Sequence, residues 1–562
     1  MKKIFIVIFS VYLLFTSFGH VFAEDLQNNK FGIHLATPDD GDLDRAEELV
    51  NSSGGRWGYV TLVIQENDRD LNKWQGVFDK LREQRMIPII RIATKPDGSN
   101  WRRPDKSDAQ SWVDFLNKLH WVVKNRYILI FNEPNHASEW GGKVDTEDYA
   151  HVSKEFATKL NGANQDYFIM LAGMDASAPS QMPDYEDEAI FLREVVQQIG
   201  TKDFNKLFDG LASHSYPNPG FVGSPYGQGR GTTRGYEWEL SLLNSIGVKE
   251  LPVFITETGW NGEALSRQQV ASNFRIAYHD VWLPDGRVIA ITPFILNYQT
   301  EPFLKFSWVK PQNVGVYPEF GVVRGMTKVA GVPEIKQSGK FIFDLPHELV
   351  AKSAYHFQIE LENTGQAIWM ADEDYSLKIE GIPETQSLVS PIGRIKPFES
   401  KIIDLYITTR EVSKIQSHFL LYRGNKVALK SEPWNFEIVP LPKANLNISL
   451  LPKVITEGKD FELQIFDKQE QIVFKKSKIE IKNSKGVIDE VENIALGQPY
   501  RVVILKKYYL PRQINITFQK GTNEIVFEPM LPVDFSGDGA VSWDDIPSLF
   551  ADFRKIELLL IW

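Results

Sequence analysis

Eight short apolar runs alternate with amphipathic stretches between residues 31 and 298, and this alternation limits the possible folds more than any other feature of the chain. The runs cover residues 31–36, 57–64, 86–93, 127–132, 167–173, 211–216, 253–257 and 288–296. Apolar strands that alternate with helices are typical of parallel sheets buried on both faces. Eight such units in about 250–300 residues predict a (β/α)8 barrel. A doubly wound open sheet is the alternative, but no Gly-x-Gly-x-x-Gly follows the first run.

The stretches between the runs carry the periodicity of amphipathic helices. Predicted helices cover residues 43–51, 71–84, 108–123, 146–160, 188–199, 236–245 and 266–282. In the second of them, Trp74, Phe78 and Leu81 recur at helical spacing. Ser107 and Asp145 stand directly before two of the helices, where a side-chain oxygen can cap the first turn. The helices therefore fall where a barrel needs them, between consecutive strands.

The pattern changes after Trp308, where short alternating strands replace the helices. Residues 340–440 predict a β-sandwich that resembles extracellular immunoglobulin-like modules, with Trp369 following the turn at Asn363. Residues 443–530 predict a second β-rich module, separated from the first by a Pro-Leu-Pro linker that begins at Pro440. The predicted order is a barrel over residues 24–335, these two β modules, and a short acidic segment over residues 531–562.

The first residues have the pattern of an export signal. Lys2 and Lys3 precede an apolar run over residues 4–18, and compact residues precede Ala23. This pattern predicts a secretory signal peptide over residues 1–23 and a secreted protein with no membrane contact after cleavage. An uncleaved anchor helix is the alternative, but the run is shorter than the roughly 20 residues that a membrane span needs.

Composition excludes several kinds of chemistry. The 562-residue chain contains no cysteine, so an exported form is held together without disulfides and has no thiolate metal site or cysteine nucleophile. The formal net charge of -11 argues against a nucleic-acid partner. The remaining candidates for chemistry are carboxylates, histidines and other polar side chains.

Polar side chains stand at or near the ends of several apolar runs. They are His34, Arg91, Asn132 with Glu133, His214 with Tyr216, and Glu257. The carboxyl ends of barrel strands form the active-site face of this fold. Because strands four and seven face each other across the barrel, Glu133 and Glu257 can approach one sugar from two sides. Glycoside hydrolysis with retention requires two carboxyl groups about 5–5.5 Å apart, so this pair predicts a retaining glycosidase.

Two motifs carry a family resemblance that covers about residues 28–335. The sequences IFNEPN from Ile130 and FITETGW from Phe254 resemble the barrel hydrolases of glycoside hydrolase clan A, which includes family 5 and family 39 enzymes. The resemblance implies that Glu133 is the acid/base, that Glu257 is the nucleophile, and that Asn132 donates a hydrogen bond to the sugar 2-hydroxyl. It implies a β-glycan substrate and no cofactor for catalysis.

Other positions match or depart from the clan pattern. His214 and Tyr216 match its strand-six pair, in which the tyrosine bonds the nucleophile. Arg91 can orient Glu257 by a charge-assisted hydrogen bond, but it stands on strand three rather than at the usual family 5 position. The eighth strand lacks the usual terminal tryptophan, and either Trp308 or Phe294 takes that role. These departures leave the family and the sugar open.

Further substrate contacts are predicted from His34, Trp260 and Trp308, because they lie near the barrel top and aromatic rings stack on sugars. A second function remains beside the enzyme: a non-catalytic carbohydrate-binding surface protein that kept the barrel scaffold. The intact pair of Glu133 and Glu257 favours the enzyme.

The acidic segment fits a twelve-residue calcium loop. Its predicted ligands are Asp534, Ser536, Asp538, the carbonyl of Ala540, and Asp545, at positions 1, 3, 5, 7 and 12. Gly539 supplies the turn at position 6, and ligation by oxygen alone suits Ca²⁺. The loop resembles one repeat of a dockerin, which normally has two, and this resemblance implies a cohesin-like partner.

Overall fold

The computed structural model describes residues 27–453 and 455–551. The signal peptide predicted for residues 1–23 and the last residues of the acidic segment lie outside this range. The chain divides into two compact units, the first ending at Lys336 and the second beginning at Gln337. Among the described residues, no helix combines the length and apolarity needed to cross a membrane.

Within the described part of the first unit, eight parallel strands form a closed barrel. They are β1 Gly32–Leu35, β2 Gly58–Gln65, β3 Met86–Ala93, β4 Arg126–Ile130, β5 Tyr167–Leu171, β6 Leu211–His214, β7 Val253–Glu257 and β8 Val288–Ile291. Strands β1 to β5 pair in chain order, and so do β6 to β8. Parallel bridges Met170↔Gly210 and Phe31↔Ile291 join the two groups into a ring. The ring excludes the open-sheet alternative.

Helices follow the strands around the outside. They are α1 Asp40–Val50, α2 Leu71–Glu83, α3 Asp108–Leu116, α4 Thr146–Ala163, α5 Glu188–Ile199, α6 Thr201–Leu207, α7 Gly235–Ser245, α8 Arg267–Ile276 and α9 Pro318–Gly325. The predicted cap Asp145 accepts a hydrogen bond from the Asp148 amide, whereas Ser107 makes no side-chain cap. Helix α3 also ends before the predicted residue 123, and the Trp121 indole donates to the carbonyl of its last residue, Leu116.

An aromatic cluster fills the amino-terminal end of the barrel and leaves the opposite end polar. The rings of Tyr59, Tyr127, Phe168 and Phe254 lie 5.1–6.4 Å apart in tilted and edge-on pairs. Such pairs add to the stabilisation from burial of apolar area. The strand ends that carry the predicted site residues therefore stand above a packed floor.

The second unit begins with two packed sheets. Its first strands are β9 Gly339–Ile342, β10 Glu348–Val350, β11 Ala354–Asn363, β12 Tyr375–Glu380, β13 Ser387–Val389, β14 Ser400–Thr408, β15 Ser413–Arg423, β16 Lys426–Lys430 and β17 Trp434–Val439. One sheet has the order β9-β11-β14-β13 and the other the order β10-β17-β15-β12, with β16 beside β15. Phe341 and Phe357 of the first sheet pack against Phe419 and Trp434 of the second. This is a sandwich, while its immunoglobulin-like topology stays a prediction.

A further β-rich part completes the second unit. Its strands are β18 Lys443–Asn447, β19 Gly458–Phe466, β20 Ile472–Ile481, β21 Lys485–Ile488, β22 Pro499–Lys506, β23 Tyr509–Thr517 and β24 Thr522–Val526, and helix α10 Asp545–Phe550 follows. Sheets β20-β19-β22-β23 and β21-β18-β24 share a core that includes Phe461, Ile504 and Phe518. The division of this unit into modules over residues 340–440, 443–530 and 531–562 stays a prediction.

Candidate active site

The turn after β4 holds its polar residues in an unusual backbone conformation. Phe131 and Glu133 have positive φ angles of 70° and 32°, which residues with a Cβ rarely adopt. The Glu133 amide donates to the Gly173 carbonyl at 3.1 Å, and the His136 amide donates to the Glu133 carbonyl at 2.9 Å. Strain of this kind persists only where surrounding contacts impose it, and it is typical of functional sites.

His214, at the end of β6, lies between the two glutamates. Its Nδ1 is 2.7 Å from Oε1 of Glu133 and 3.9 Å from Oε2 of Glu257. Within the described ranges, these three residues form the group of acidic and histidine side chains close enough to share a ligand, with one donor atom of each within 4.8 Å of the others. The two carboxyl groups predicted from the sequence therefore meet at the carboxyl end of the barrel.

Glu257 is 7% exposed, and its two carboxylate oxygens have different partners. Arg91 Nη1 donates to Oε1 at 3.1 Å, and the Tyr216 hydroxyl donates to Oε2 at 3.1 Å. Burial by itself would raise the pKa of Glu257, but the charges of His214 and Arg91 outweigh burial and lower it. The carboxylate is thus ionised at neutral pH and held in one orientation.

Arg91 also determines how the Asn132 side chain is oriented. Its Nη1 donates to Asn132 Oδ1 at 2.6 Å. Since the amide oxygen is held by the arginine, the amide nitrogen is the end of Asn132 that points elsewhere and can donate. One guanidinium on β3 therefore organises both Asn132 and Glu257.

The two buried histidines of the site have opposite electrostatic environments. Burial lowers the pKa of His214, but Glu257 and Glu133 outweigh burial and raise it. For His34, which is 2% exposed, burial lowers the pKa to about 3 and nearby Arg91 adds to the effect. His34 is therefore neutral, and no other described residue bonds to either of its ring nitrogens. Its ring lies 5.1 Å from the ring of Phe294.

A third carboxyl group, Glu139, belongs to the site and was not predicted from the sequence. It ends a short 3-10 helix, Ala137–Glu139, and bonds the Asn132 side chain. Burial raises its pKa to about 7, and Glu133 and Glu257 add to this while Arg91 opposes it. No strand end or periodic pattern marks this position, because the helix is a single turn inside a loop.

Gly173, just after β5, is a second residue that the sequence did not single out. A Cβ built on it would lie 2.2 Å from Cδ2 of His214, so only glycine leaves room for the imidazole. His136 is a further neighbour, and its Nε2 lies 2.7 Å from Asp175 Oδ2. That pair of side chains flanks the turn that carries Glu133.

The stacking role predicted for Trp260 and Trp308 has to be corrected. Each ring is 1% exposed, and both pack against Phe274 of α8. The Trp260 indole also donates to the Gly223 carbonyl at 2.9 Å. Both tryptophans fill space beneath the loops and present no face to a ligand. Phe294, the other candidate at the end of strand eight, packs in the same cluster as Tyr216.

The acidic loop folds around its own carboxylates. Asp534 accepts hydrogen bonds from the Gly537 and Gly539 amides at 2.7 and 3.1 Å. Asp545 accepts from the Ser536 and Ser542 amides, both at 2.8 Å. Gly539 has a φ of 82°, as the sharp turn at position 6 requires. Cation binding by this loop stays a prediction.

Comparison with known proteins places the chain near several hydrolases. No protein-family model and no curated protein matches the chain. A family 39 glycoside hydrolase from Bacteroides cellulosilyticus WH2 is similar at 12% identity and a TM-score of 0.37, over 68% of this chain and 81% of that chain. An endo-beta-1,4-glucanase from Xanthomonas axonopodis pv. citri has 13% identity and a TM-score of 0.37, over 53% of this chain and 98% of that one.

A beta-mannanase from Thermomonospora fusca is also similar, at 12% identity and a TM-score of 0.35, over 54% of this chain and 89% of that chain. These neighbours are thus a family 39 glycoside hydrolase, a glucanase and a mannanase. At such identities and TM-scores, the roles of the residues depend on the geometry of the site itself.

Proposed function

We propose that the protein is a retaining glycoside hydrolase that cleaves β-glycosidic bonds of polysaccharides or oligosaccharides by double displacement. The observation that carries this proposal is the approach of a Glu133 carboxylate oxygen to within 4.8 Å of one from Glu257. Retaining enzymes hold their carboxyl groups about 5–5.5 Å apart, whereas inverting enzymes need about 6.5–9.5 Å to admit a water between them. The nearest carboxylate oxygens of the two residues approach more closely than the inverting range, which supports direct attack by one carboxylate.

In the first step, Glu257 attacks the anomeric carbon while Glu133 donates its proton to the glycosidic oxygen. The bond between the carbon and that oxygen breaks, and the sugar becomes an ester of Glu257. The lowered pKa of Glu257 keeps the nucleophile ionised at neutral pH. Hydrogen bonds from Arg91 and Tyr216 fix the direction of attack, which reduces the entropic cost of reaching the transition state.

In the second step, Glu133 accepts a proton from water, and the water oxygen attacks the anomeric carbon. The ester bond breaks and Glu257 leaves as a carboxylate. Two inversions at one carbon restore the original configuration of the sugar.

Asn132 supports both steps through the substrate. Its amide oxygen accepts from Arg91, and its amide nitrogen, which also interacts with Glu139, has a second N–H to donate to the sugar 2-hydroxyl. A hydrogen bond that strengthens as positive charge develops at the anomeric carbon lowers the barrier more than it tightens ground-state binding. The substrate class is a β-glycan, and the geometry of the site does not select one sugar.

The proposal is tested by a hydrolysis screen on plant, fungal and bacterial β-glycans, followed by chemical rescue. The Glu257→Ala variant is expected to lose hydrolysis, and azide is expected to restore turnover with a glycosyl azide of inverted configuration. NMR of the wild-type product is expected to show the substrate's own anomer first. An inverted first product, or full activity in Glu257→Ala, would refute the mechanism. Glycan binding with no hydrolysis on any substrate would favour the non-catalytic alternative.

The remaining parts of the proposal concern the ends of the chain. We propose export with removal of residues 1–23, Ca²⁺ binding by the loop that begins at Asp534, and docking of this loop to a cohesin-like partner. Amino-terminal sequencing of the secreted protein tests the first point. A pull-down with isolated cohesin modules, with and without Ca²⁺, tests the last, and Ca²⁺-independent binding would argue against it.

A further inference from the structure

The group of Glu133, His214 and Glu257 has the donor chemistry of a metal site as well as that of a glycosidase. We infer that these three side chains bind a divalent transition-metal ion, with Zn²⁺ as the representative ion, and that the bound ion and the substrate exclude each other. Metal binding itself does not depend on the proposed function, whereas inhibition of hydrolysis rests on it.

The distances require only small side-chain movements. Zn²⁺ binds nitrogen and oxygen at about 2.0–2.2 Å, which places neighbouring ligand atoms of a tetrahedron about 3.3–3.6 Å apart. His214 Nδ1 lies 2.7 Å from Glu133 Oε1 and 3.9 Å from Glu257 Oε2, one on each side of that value. All three donor atoms already lie within 4.8 Å of one another. Side-chain rotations that move these donor atoms by about 1 Å would bring all three to tetrahedral ligand distances.

The atoms available for coordination are defined by the other contacts of the site. Arg91 occupies Oε1 of Glu257, which leaves Oε2, the oxygen that faces His214, for the metal. Coordination by His214 requires the lone pair on Nδ1. The proton on that nitrogen passes to solvent, and a bond to the metal replaces the hydrogen bond to Glu133. The ion also replaces the Tyr216 hydroxyl as the partner of Oε2.

A second observation points to the same place. His34 is 2% exposed, and both of its ring nitrogens are buried without a partner among the described residues. Its ring lies close enough to Glu257 and His214 for electrostatic interaction with both. A buried imidazole with no partner is costly unless something bonds to it. His34 is therefore a buried polar neighbour of this group, outside the set of three donor atoms that lie within 4.8 Å of one another.

The mixture of donors selects the kind of ion. Imidazole nitrogen combined with carboxylate oxygen suits Zn²⁺, Cu²⁺ and Ni²⁺, whereas Ca²⁺ and Mg²⁺ prefer oxygen alone. Once His214 has lost its proton, two carboxylates face the single opposing charge of Arg91, so the site then attracts a divalent cation. An ion at this position engages both of the carboxylates proposed for catalysis and prevents either from reaching a sugar.

The test measures binding without substrate. Isothermal titration calorimetry with ZnCl₂ uses the full chain carrying Asp534→Asn and Asp545→Asn, so that the acidic loop contributes no site. One equivalent of Zn²⁺ is expected to bind. His214→Ala, Glu133→Gln and Glu257→Gln are each expected to weaken binding at least about tenfold, since loss of an outer-shell partner alone costs about 10–100-fold. The two Gln variants keep shape and volume, so they test the site even where His214→Ala fails to fold.

His347→Ala is the matched control, because His347 is exposed and lies in the second unit. It is expected to bind Zn²⁺ as tightly as the parent. Visible absorption of Co²⁺ bound at the site, lost in Glu257→Gln, gives an independent signature of nitrogen and oxygen ligation. Zn²⁺ affinity that is unchanged in both Gln variants, or lost in His347→Ala or on removal of the loop carboxylates, would overturn the inference.

Hydrolysis assays separate this inference from the proposed function. Zn²⁺ is expected to inhibit competitively with the substrate, with full recovery on adding a chelator, while Mg²⁺ at the same concentration has no effect. A protein that binds Zn²⁺ through these residues but hydrolyses no glycan keeps the metal site and refutes the glycosidase. A protein that hydrolyses glycans without binding Zn²⁺ keeps the glycosidase and refutes the metal site.

Discussion

The top of the barrel and the loop from Asp534 to Asp545 both concentrate carboxylates, and they hold them by different means. In the barrel, Glu257 is buried and bonded by side chains from β3 and from the end of β6. In the loop, Asp534 and Asp545 are bonded by backbone amides a few residues away. The loop amides lower the pKa of Asp545 locally, whereas the pKa of Glu257 reflects charges brought in from distant strands.

The difference teaches how one chemical group, the carboxylate, suits two kinds of chemistry. A buried carboxylate held by side chains from distant strands has a pKa and an orientation that the fold can adjust, as proton transfer and nucleophilic attack require. Carboxylates arranged by their own backbone form a set of oxygens that suits a hard cation. Substitution of a carboxylate in the barrel site should therefore leave the acidic loop unaffected, and substitution in the loop should leave the barrel site unaffected.

The largest expected effect separates the two regions by activity. Glu257→Gln is expected to lower kcat by about 10⁴-fold or more, because the nucleophile is lost while the shape of the site is kept. Asp545→Asn is expected to leave kcat within about twofold. Steady-state kinetics on one aryl β-glycoside measures both. A loss of activity in Asp545→Asn equal to that in Glu257→Gln would show that the two regions are not independent.

The next effect tests whether the barrel site depends on long-range packing. Gly173→Ala places a Cβ against His214. It is expected to lower the free energy of unfolding by about 1–3 kcal/mol, as overpacking does, and to lower kcat as well. Gly162→Ala in α4 is the matched control, since a Cβ there meets nothing within 4 Å. It is expected to stabilise the protein by about 0.5–1 kcal/mol. Chemical denaturation measures stability and steady-state kinetics measures kcat. Equal effects of the two substitutions would contradict the steric explanation.

A smaller effect concerns the pH dependence of stability. Burial raises the pKa of Glu139 to about 7, so the folded state binds its proton more tightly than the unfolded state does. Stability therefore falls as the pH rises from about 4.5 to about 7, where the unfolded chain loses this proton first. Glu139→Gln is expected to remove that fall, so that its Tm relative to wild type increases across this range.

The control for this pH dependence is Glu263→Gln, at an exposed position outside the site. Its Tm is expected to follow that of the wild type at every pH. A constant Tm difference between Glu139→Gln and wild type from pH 4.5 to 8 would contradict the titration of Glu139 in this range.

The last effect is confined to the acidic loop. Ca²⁺ at 100 times its dissociation constant is expected to stabilise the second unit by about 2.7 kcal/mol, and Asp534→Asn is expected to abolish the gain. Differential scanning calorimetry of the full chain measures it, with Mg²⁺ as the comparison ion. Equal stabilisation of the wild type and of Asp534→Asn would remove the loop from the list of calcium sites.

Local patterns explain why much of the barrel could be predicted. Most strands are mainly apolar runs, and polar site residues stand at or within a few residues of their ends, as Glu133 stands three residues after β4 and Glu257 ends β7. The fold then carries these ends to one face. The orientation of Trp260 and Trp308 could not be predicted, because a tryptophan in a loop near the barrel top can face the cleft or the helices, and packing against Phe274 decides which.

The sequence by itself determined which chemical groups the barrel can present, because strand periodicity and strand ends are properties of neighbouring residues. Only the tertiary structure decided how these groups interact. The spacing of Glu133 and Glu257, the room that Gly173 leaves for His214, and the burial of Glu139 depend on segments that are distant in the chain and meet only when the ring of strands closes. Reactivity at this site depends on distance and dielectric environment, and both are set by that closure.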